Sequence, residues 1–386
     1  MTKYFYFYDL NEVLIDRYPA KIASHISSIA KTNNFVFIFS ERYNYSNPQN
    51  IPIGSKAFYI KNLSKKKLDE LVLKYPPCSL TTIAQRIPDV WMLTYFNKLG
   101  CPTFTVQHGL WSDRSVRIPI IPLLFGKFSK FINYLEHAQS ICKLNNIPLL
   151  PTLLDLYRFN LKETIDISET KYLNNDTLRA NKAFVFDESW NPYYLIRYGY
   201  DIKNLIYIGN PDLLLLKNKD LNNKEDAVCY LCQSLVEDGR FKLDEYIEFL
   251  RILINIVATT KKLYIKLHPR SKLEFYNIFE SNKNVTLTHD LPICEYYIGH
   301  YTSLLETVKQ ISDNVLIWKL PNHHIPVYFN KFGSVITDNQ SELADFIVGK
   351  IPPKQEISSS KLSKDQLNQF DPIDIVANNL INLSLK

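Results

Sequence analysis

A chain of 386 residues, 46% of them hydrophobic, has apolar mass for two globular domains rather than one. Its net charge of +6 suits an anionic ligand or an anionic membrane surface and falls short of the basic balance of a nucleic-acid-binding domain, so no nucleic-acid partner is expected. With 10 glycines and neither a GxxxxGK[ST] nor a GxGxxG run, a glycine-rich phosphate loop is excluded.

The opening stretch "MTKYFYFYDLNEVLI" lacks the basic start and long apolar core of a secretory signal. No apolar run reaches bilayer-spanning length, and six cysteines without a paired framework fit a reduced compartment. The expected location is therefore cytoplasmic, with peripheral contact on the cytoplasmic face of an inner membrane left open, as is a homodimer.

Short apolar runs then alternate with helical patterns. In the first half the predicted strands are "KYFYFYDL", "FVFIFS", "KAFYI", "PTFTVQHG", "KAFVFD" and "LIYIGNP", with a helix over Arg17–Lys31. In the second half they are "AVCYLCQSL", "LYIKLHP", "VTLT", "YYIGH", "VLIWKL" and "GSVITD", with helices over Asp244–Thr260, Ser303–Ile311 and Gln340–Gly349. This alternation predicts βαβ units and parallel sheets in both halves. The polar stretch "LKNKDLNNKEDA" reads as the linker, which predicts an acceptor-side Rossmann-like domain over 1–218 and a nucleotide-binding one over 219–355. A tail helix within 356–386 is expected, with packing back on the first domain left open. Two such halves facing across a cleft describe the GT-B arrangement, an analogy at the level of fold.

Three segments interrupt the pattern. "RSVRIPIIPLLFGKFSKFINYL" carries Arg114, Arg117, Lys127 and Lys130 among apolar residues, but its prolines break any clean amphipathic face, so an irregular packed loop is favoured over a membrane-surface segment. Cys229 and Cys232 have CxxC spacing inside a strand, where side chains three apart point to opposite faces, which makes them structural rather than a redox or zinc pair. His323 and His324 have no partner cluster at ligand spacing and read as a loop.

The chemistry gathers at strand ends of the second half, where open parallel sheets bind ligands. After its first strand come Glu237, Asp238 and Gly239. Adjacent carboxylates repel, which favours a proton acceptor near working pH, and glycine eases the turn. "YIKLHPRS" places Lys266 and His268 two residues apart, on one strand face; the lysine neutralises phosphate, and the imidazole donates a hydrogen bond or a proton to it. Pro269 ends the ladder there. In "YYIGHYTSLLETV", Gly299 permits close approach and Thr302 or Ser303 caps a helix whose first amides form an anion site.

An acidic pair with glycine, a His-Pro dipeptide and a Thr-Ser pair, in this order at successive strand ends, resemble the three motifs of bacterial GT-B sialyltransferases. The short spacing of the first two is similar to glycosyltransferase family 52, the lipooligosaccharide sialyltransferases, which are related to the bacterial polysialyltransferases. The resemblance covers chiefly Ala227–Gly333. It implies a CMP-activated nonulosonic acid such as sialic acid as donor, a capsule or lipooligosaccharide glycan as acceptor, and inversion at the anomeric carbon. By carry-over, Glu237 is the general base and Asp238 supports it. His268 binds the CMP phosphate, and Lys266, Pro269, Thr302 and Ser303 hold the nucleotide. Arg240 or Arg270 is placed to pair with the carboxylate of the donor sugar, with Arg270 grouped on the donor side and Gly239 and Arg240 on the acceptor or sugar side. Asp290 and Glu295 both remain candidates for the ribose. No cofactor and no metal are expected, since these groups carry the charge and no DxD-type motif stands in a suitable loop.

In the first half, "TFTVQHGLW" places His108 and Gly109 at a strand end, a candidate acceptor or sugar contact. "YIGNP" resembles the strand closing the first half of several polymer-forming GT-B enzymes, and "SWNPYYLIRYGY" reads as an aromatic helix used for packing. "KLHP" and "QHG" also resemble CDP-glycerol-type transferases, so a CMP-Kdo or CDP-glycerol transferase is the nearest alternative. A non-catalytic module binding nucleotide or glycan is the alternative of another class.

Overall fold

The computed structural model describes residues 2–42, 47–84, 86–107, 109, 128–160, 176–237, 241–321, 325, 329, 332–352 and 362–385. Arg114, Arg117 and Lys127 of the basic stretch, and the pair His323 and His324, lie outside the described residues. The described residues of 1–108, 117–211 and 371–386 form one compact unit, and those of 109–116 and 212–370 form a second.

In the first unit, β1 (Tyr4–Tyr8) leads to α1 (Glu12–Ala30), capped by the Asn11 side chain, which accepts from the Leu14 amide at 3.1 Å. There follow β2 (Phe35–Phe39), β3 (Lys56–Tyr59), α2 (Lys65–Lys74), β4 (Pro77–Thr82), α3 (Ile87–Lys98), β5 (Thr103–Val106), α4 (Phe128–Asn145), α5 (Leu149–Asn160), β6 (Lys182–Val185) and β7 (Leu205–Tyr207). The seven strands are all parallel, in the order β3-β2-β1-β4-β5-β6-β7. β2 is buried throughout and β1 from Phe5 onward, as strands covered on both faces must be, and the Phe7 and Phe37 rings stack at 5.3 Å.

β4, "PCSLTT", lies at the centre of that sheet and does not appear among the strands predicted from apolar runs. Its buried residues include Ser79, Thr81 and Thr82, small enough to sit against a helix but invisible to a hydrophobic pattern. The aromatic segment forms a 3-10 turn at Glu188–Trp190 and a π-helical turn at Pro192–Arg197, with Trp190, Tyr194 and Tyr198 buried as packing residues.

In the second unit, β8 (Glu225–Leu231), α6 (Leu243–Val257), β9 (Lys262–Lys266), β10 (Val285–Thr288), β11 (Cys294–Gly299), α7 (Leu304–Ile311), β12 (Asn314–Trp318), β13 (Val335–Thr337), α8 (Gln340–Ile347) and α9 (Lys364–Gln369) follow in order. Six parallel strands run β10-β9-β8-β11-β12-β13. β8 separates two cores. Val228, Tyr230 and Cys232 join the apolar stripe of α6 (Tyr246, Phe249, Leu250 and Leu253), whereas Ala227, Cys229 and Leu231 join Leu305 and Val308 of α7. Cys229 and Cys232 therefore lie on opposite faces, and burial pushes the Cys232 thiol up to about 12, out of nucleophilic range. α10 (Pro372–Ser384) returns to the first unit and packs against α1.

Each sheet changes winding direction once, between β1 and β4 in the first unit and between β8 and β11 in the second. In the first unit that point is occupied by an ion cluster: Arg86 reaches Asp9 at 2.7 Å and Asp89 at 2.6 Å, both carboxylates being buried. Two open clefts of about 370 and 460 Å³ lie at the opposite, amino edge of this sheet and share Gly100–Pro102 and Leu383. Among the described residues, no helix is long and apolar enough to cross a membrane.

Candidate active site at the carboxyl edge of the second sheet

The polar residues after β8 tie the neighbouring strand ends together. The Gln233 side chain bridges to β11's exit, donating to the Tyr301 carbonyl at 2.8 Å and accepting from the Tyr301 amide at 3.3 Å. Ser234 accepts from the Arg270 guanidinium at 2.8 Å, and a Glu237 carboxylate oxygen accepts from the Lys272 backbone amide at 3.0 Å. The acidic turn is thus bonded to the turn that follows β9. Asp238, Gly239 and Arg240 lie outside the described residues.

The His-Pro dipeptide forms a tight turn. The Ser271 amide donates to the His268 carbonyl at 2.8 Å, with Pro269 at the second position, where its fixed φ is favoured. His268 donates its own amide to Ser271 Oγ at 3.1 Å. Its Nδ1 accepts from the Arg270 amide at 3.1 Å, which places the hydrogen of the neutral ring on Nε2. The half-buried imidazole is therefore set to donate from Nε2.

Lys266, at the end of β9, is 8% exposed, and desolvation lowers its pKa from the ordinary lysine value. Its ammonium donates to the Leu267 carbonyl at 3.3 Å and is compensated at longer range by Asp212 and Asp290. Asp290 follows β10 at the same carboxyl edge. Glu295 stands near the start of β11, at the opposite end of the sheet, so the structure separates the two ribose candidates.

At the start of α7 the structure separates the two hydroxyl candidates for the cap. Ser303 occupies the cap position but turns away, donating to Asp212 at 2.6 Å; it is Thr302 Oγ1 that meets the Leu304 amide, at 3.4 Å. The Ser303 hydrogen is held by the Asp212 carboxylate in a charge-assisted bond, which fixes its side-chain orientation. Gly299 lets the helix start come close, since a Cβ there would lie 3.1 Å from Leu305 Cδ2. Gly109 follows β5 in the chain but is grouped with the second unit, and a Cβ there would meet nothing within 4 Å; His108 lies outside the described residues.

Sequence reasoning missed Gln233, Ser234, Asp212 and His300. The first two stand in "CQS", directly after a strand, where a polar run at a carboxyl edge is a signal. Asp212, in "GNPD", is 91 residues from Ser303 and carries no local sign of its partner. Among the described residues, no three His, Cys, Asp or Glu side chains gather as a metal site.

No protein-family model matches the chain, and no curated protein matches it. Solved structures do. The chain is similar to a candidate UDP-N-acetylglucosamine 2-epimerase of Listeria monocytogenes (TM-score 0.54, 10% identity, covering 100% of this chain and 98% of that one). It is also similar to the UDP-GlcNAc 2-epimerase of Methanocaldococcus jannaschii in complex with UDP-GlcNAc and UDP (0.51, 14%, 97% and 99%). The S. aureus MnaA protein with UDP gives a third likeness (0.51, 10%, 100% and 98%). At such identities the likeness speaks for fold alone: the chain has two Rossmann-like parallel-sheet domains of the GT-B type.

Proposed function

We propose that this chain is an inverting glycosyltransferase that moves a nonulosonic acid, such as sialic acid, from its CMP donor to a hydroxyl of a cell-surface glycan. The observation that carries the reading is the bonding of three strand ends to one another, through Glu237 to the Lys272 amide, Arg270 to Ser234 and Gln233 to Tyr301. The acidic turn, the His-Pro turn and the Thr-Ser helix start thereby share one edge of one sheet.

In this reading Glu237 takes the proton of the acceptor hydroxyl as its oxygen attacks the anomeric carbon, and the bond from that carbon to the phosphate oxygen breaks. Negative charge builds on the departing CMP. Lys266, the first amides of α7 and the Nε2–H of His268 are the groups that meet it. His268 acts as a hydrogen-bond donor rather than a proton source: protonating Nδ1 would break its bond to the Arg270 amide, and CMP leaves as a stable anion. Thr302, Ser303 and Pro269 line the nucleotide, Asp290 takes the ribose, and Arg270 faces the carboxylate of the sugar.

Mass spectrometry of products tests this, using CMP-sialic acid, CMP-Kdo, CDP-glycerol and UDP-GlcNAc with short glycan acceptors. UDP-GlcNAc enters the panel because the similar folds include an enzyme bound to it. Transfer from CMP-sialic acid or another CMP-nonulosonate is expected. Turnover of CDP-glycerol or UDP-GlcNAc alone would overturn the donor assignment.

A further inference from the structure

Beneath these strand ends runs a buried file of hydroxyls. Trp318, at the end of β12, presents its carbonyl to His300 Nδ1 at 2.8 Å. A carbonyl only accepts, so Nδ1 carries the hydrogen and Nε2 of the neutral ring accepts. Nε2 faces the Tyr230 hydroxyl at 2.9 Å, so Tyr230 donates there. With its one hydrogen committed, Tyr230 accepts from Tyr246 at 3.0 Å, and Tyr246 accepts from Tyr276 at 3.4 Å. With the Tyr276 hydrogen committed to Tyr246, Ser271 donates to Tyr276 at 3.5 Å, and its Oγ also accepts from the His268 amide at 3.1 Å.

The His300 tautomer thus dictates the direction of every link, and the acceptor role of Ser271 Oγ toward the His268 amide is compatible with it. A backbone donor at the exit of β9 is connected to a backbone acceptor at the exit of β12 through four hydroxyls and one imidazole. The three phenols and His300 are buried, and desolvation holds Tyr230 and Tyr246 well above the ordinary tyrosine range, so they remain hydroxyls. The two outer links, at 3.4 and 3.5 Å, are the long ones, and they adjoin the turn that carries His268.

We infer that Tyr246, with Tyr230 and His300 behind it, is a positioning residue that holds the His268–Ser271 turn in register with the ends of β8 and β11. The functional half of this inference rests on His268 being the phosphate contact; the geometric half does not. In an apolar core three phenylalanines would fill the same space, so the hydroxyls serve direction rather than volume.

Tyr246→Phe keeps the ring and removes one link. Two readouts separate the possibilities: hydrogen–deuterium exchange of the peptide covering 267–276, and CMP titration by calorimetry. Exchange of the His268–Ser271 amides is expected to rise about 5- to 30-fold while β8 and β11 stay protected, with CMP binding weakened by a similar factor. Donor KM rises more than kcat falls, a split that a loss of packing alone would not produce. Unchanged exchange in that turn overturns the inference. If the wild type binds no CMP, the functional reading fails, and the exchange result still decides the positioning role. If Tyr246→Phe does not fold, Ser271→Ala breaks the file at its half-buried end under the same criterion, and Ser271→Thr, which keeps the hydroxyl, should restore wild-type exchange.

Discussion

The two sheets wind alike and reverse direction once each, yet their reversal points are filled by opposite means. Between β1 and β4, Arg86 is clasped by two buried carboxylates, a cluster that answers its own charge at contact distance. Between β8 and β11, Gln233, His300 and the tyrosines are joined by hydrogen bonds, and the nearby buried cation, Lys266, meets carboxylates only at longer range. The same topology therefore offers one point where a cation is met by carboxylates at contact distance and one where, among the described residues, Lys266 makes no carboxylate contact. Winding locates where a ligand can bind; local charge balance decides whether an anion will.

The largest expected effect sharpens that contrast at the second unit. Glu237→Gln keeps an oxygen for the Lys272 amide, so the turn survives and CMP binding stays near wild type, while transfer falls about 10²- to 10⁴-fold with loss of the base. Equal loss of binding and transfer would make Glu237 structural. At the first unit the expected effect is on stability. Arg86→Met strands two buried carboxylates and should lower the unfolding free energy in urea by about 3–5 kcal/mol, and adding Asp9→Asn and Asp89→Asn should recover most of it. A neutral Arg86→Met would break the comparison.

His268→Ala should weaken CMP binding about 10- to 100-fold, the worth of a hydrogen bond to a charged group, with the fold unchanged. Lys266→Met gives a small effect on stability, and its sign is the most diagnostic. Removing a desolvated cation should raise stability by about 1 kcal/mol while abolishing CMP binding. Because burial depresses the folded-state pKa, the folded chain binds fewer protons than the unfolded one between that value and the ordinary 10.5. The gain is therefore full at neutral pH and shrinks as pH rises toward 10.5, which thermal melts of both proteins would trace.

The strands of the second unit were legible because each is a short apolar run ending in turn residues. β4 was not, since serine and threonine occupy three of its buried positions, Ser79, Thr81 and Thr82, and leave no apolar run. At the site, the strand-end residues Glu237, Lys266 and His268 announced themselves by being polar where a strand stops. What could not be read were the partners. Ser303 looks like a helix cap until Asp212 is seen to claim it. Tyr230, Tyr246 and Tyr276 look like ordinary core aromatics, because the direction of a hydrogen bond leaves no trace in composition.

The return of α10 to pack on α1 has a bearing on how the chain is made. The residues that seal this face of the first unit, among them Ile373, Val376 and Leu380, leave the ribosome only after all of β8 to β13. The strands of the second unit are all made before α10, whereas α1 of the first unit waits uncovered until α10 follows. Shortening the chain at Asp371 should consequently harm the amino-terminal half and spare the half nearer the cut, the reverse of what distance along the polypeptide would suggest.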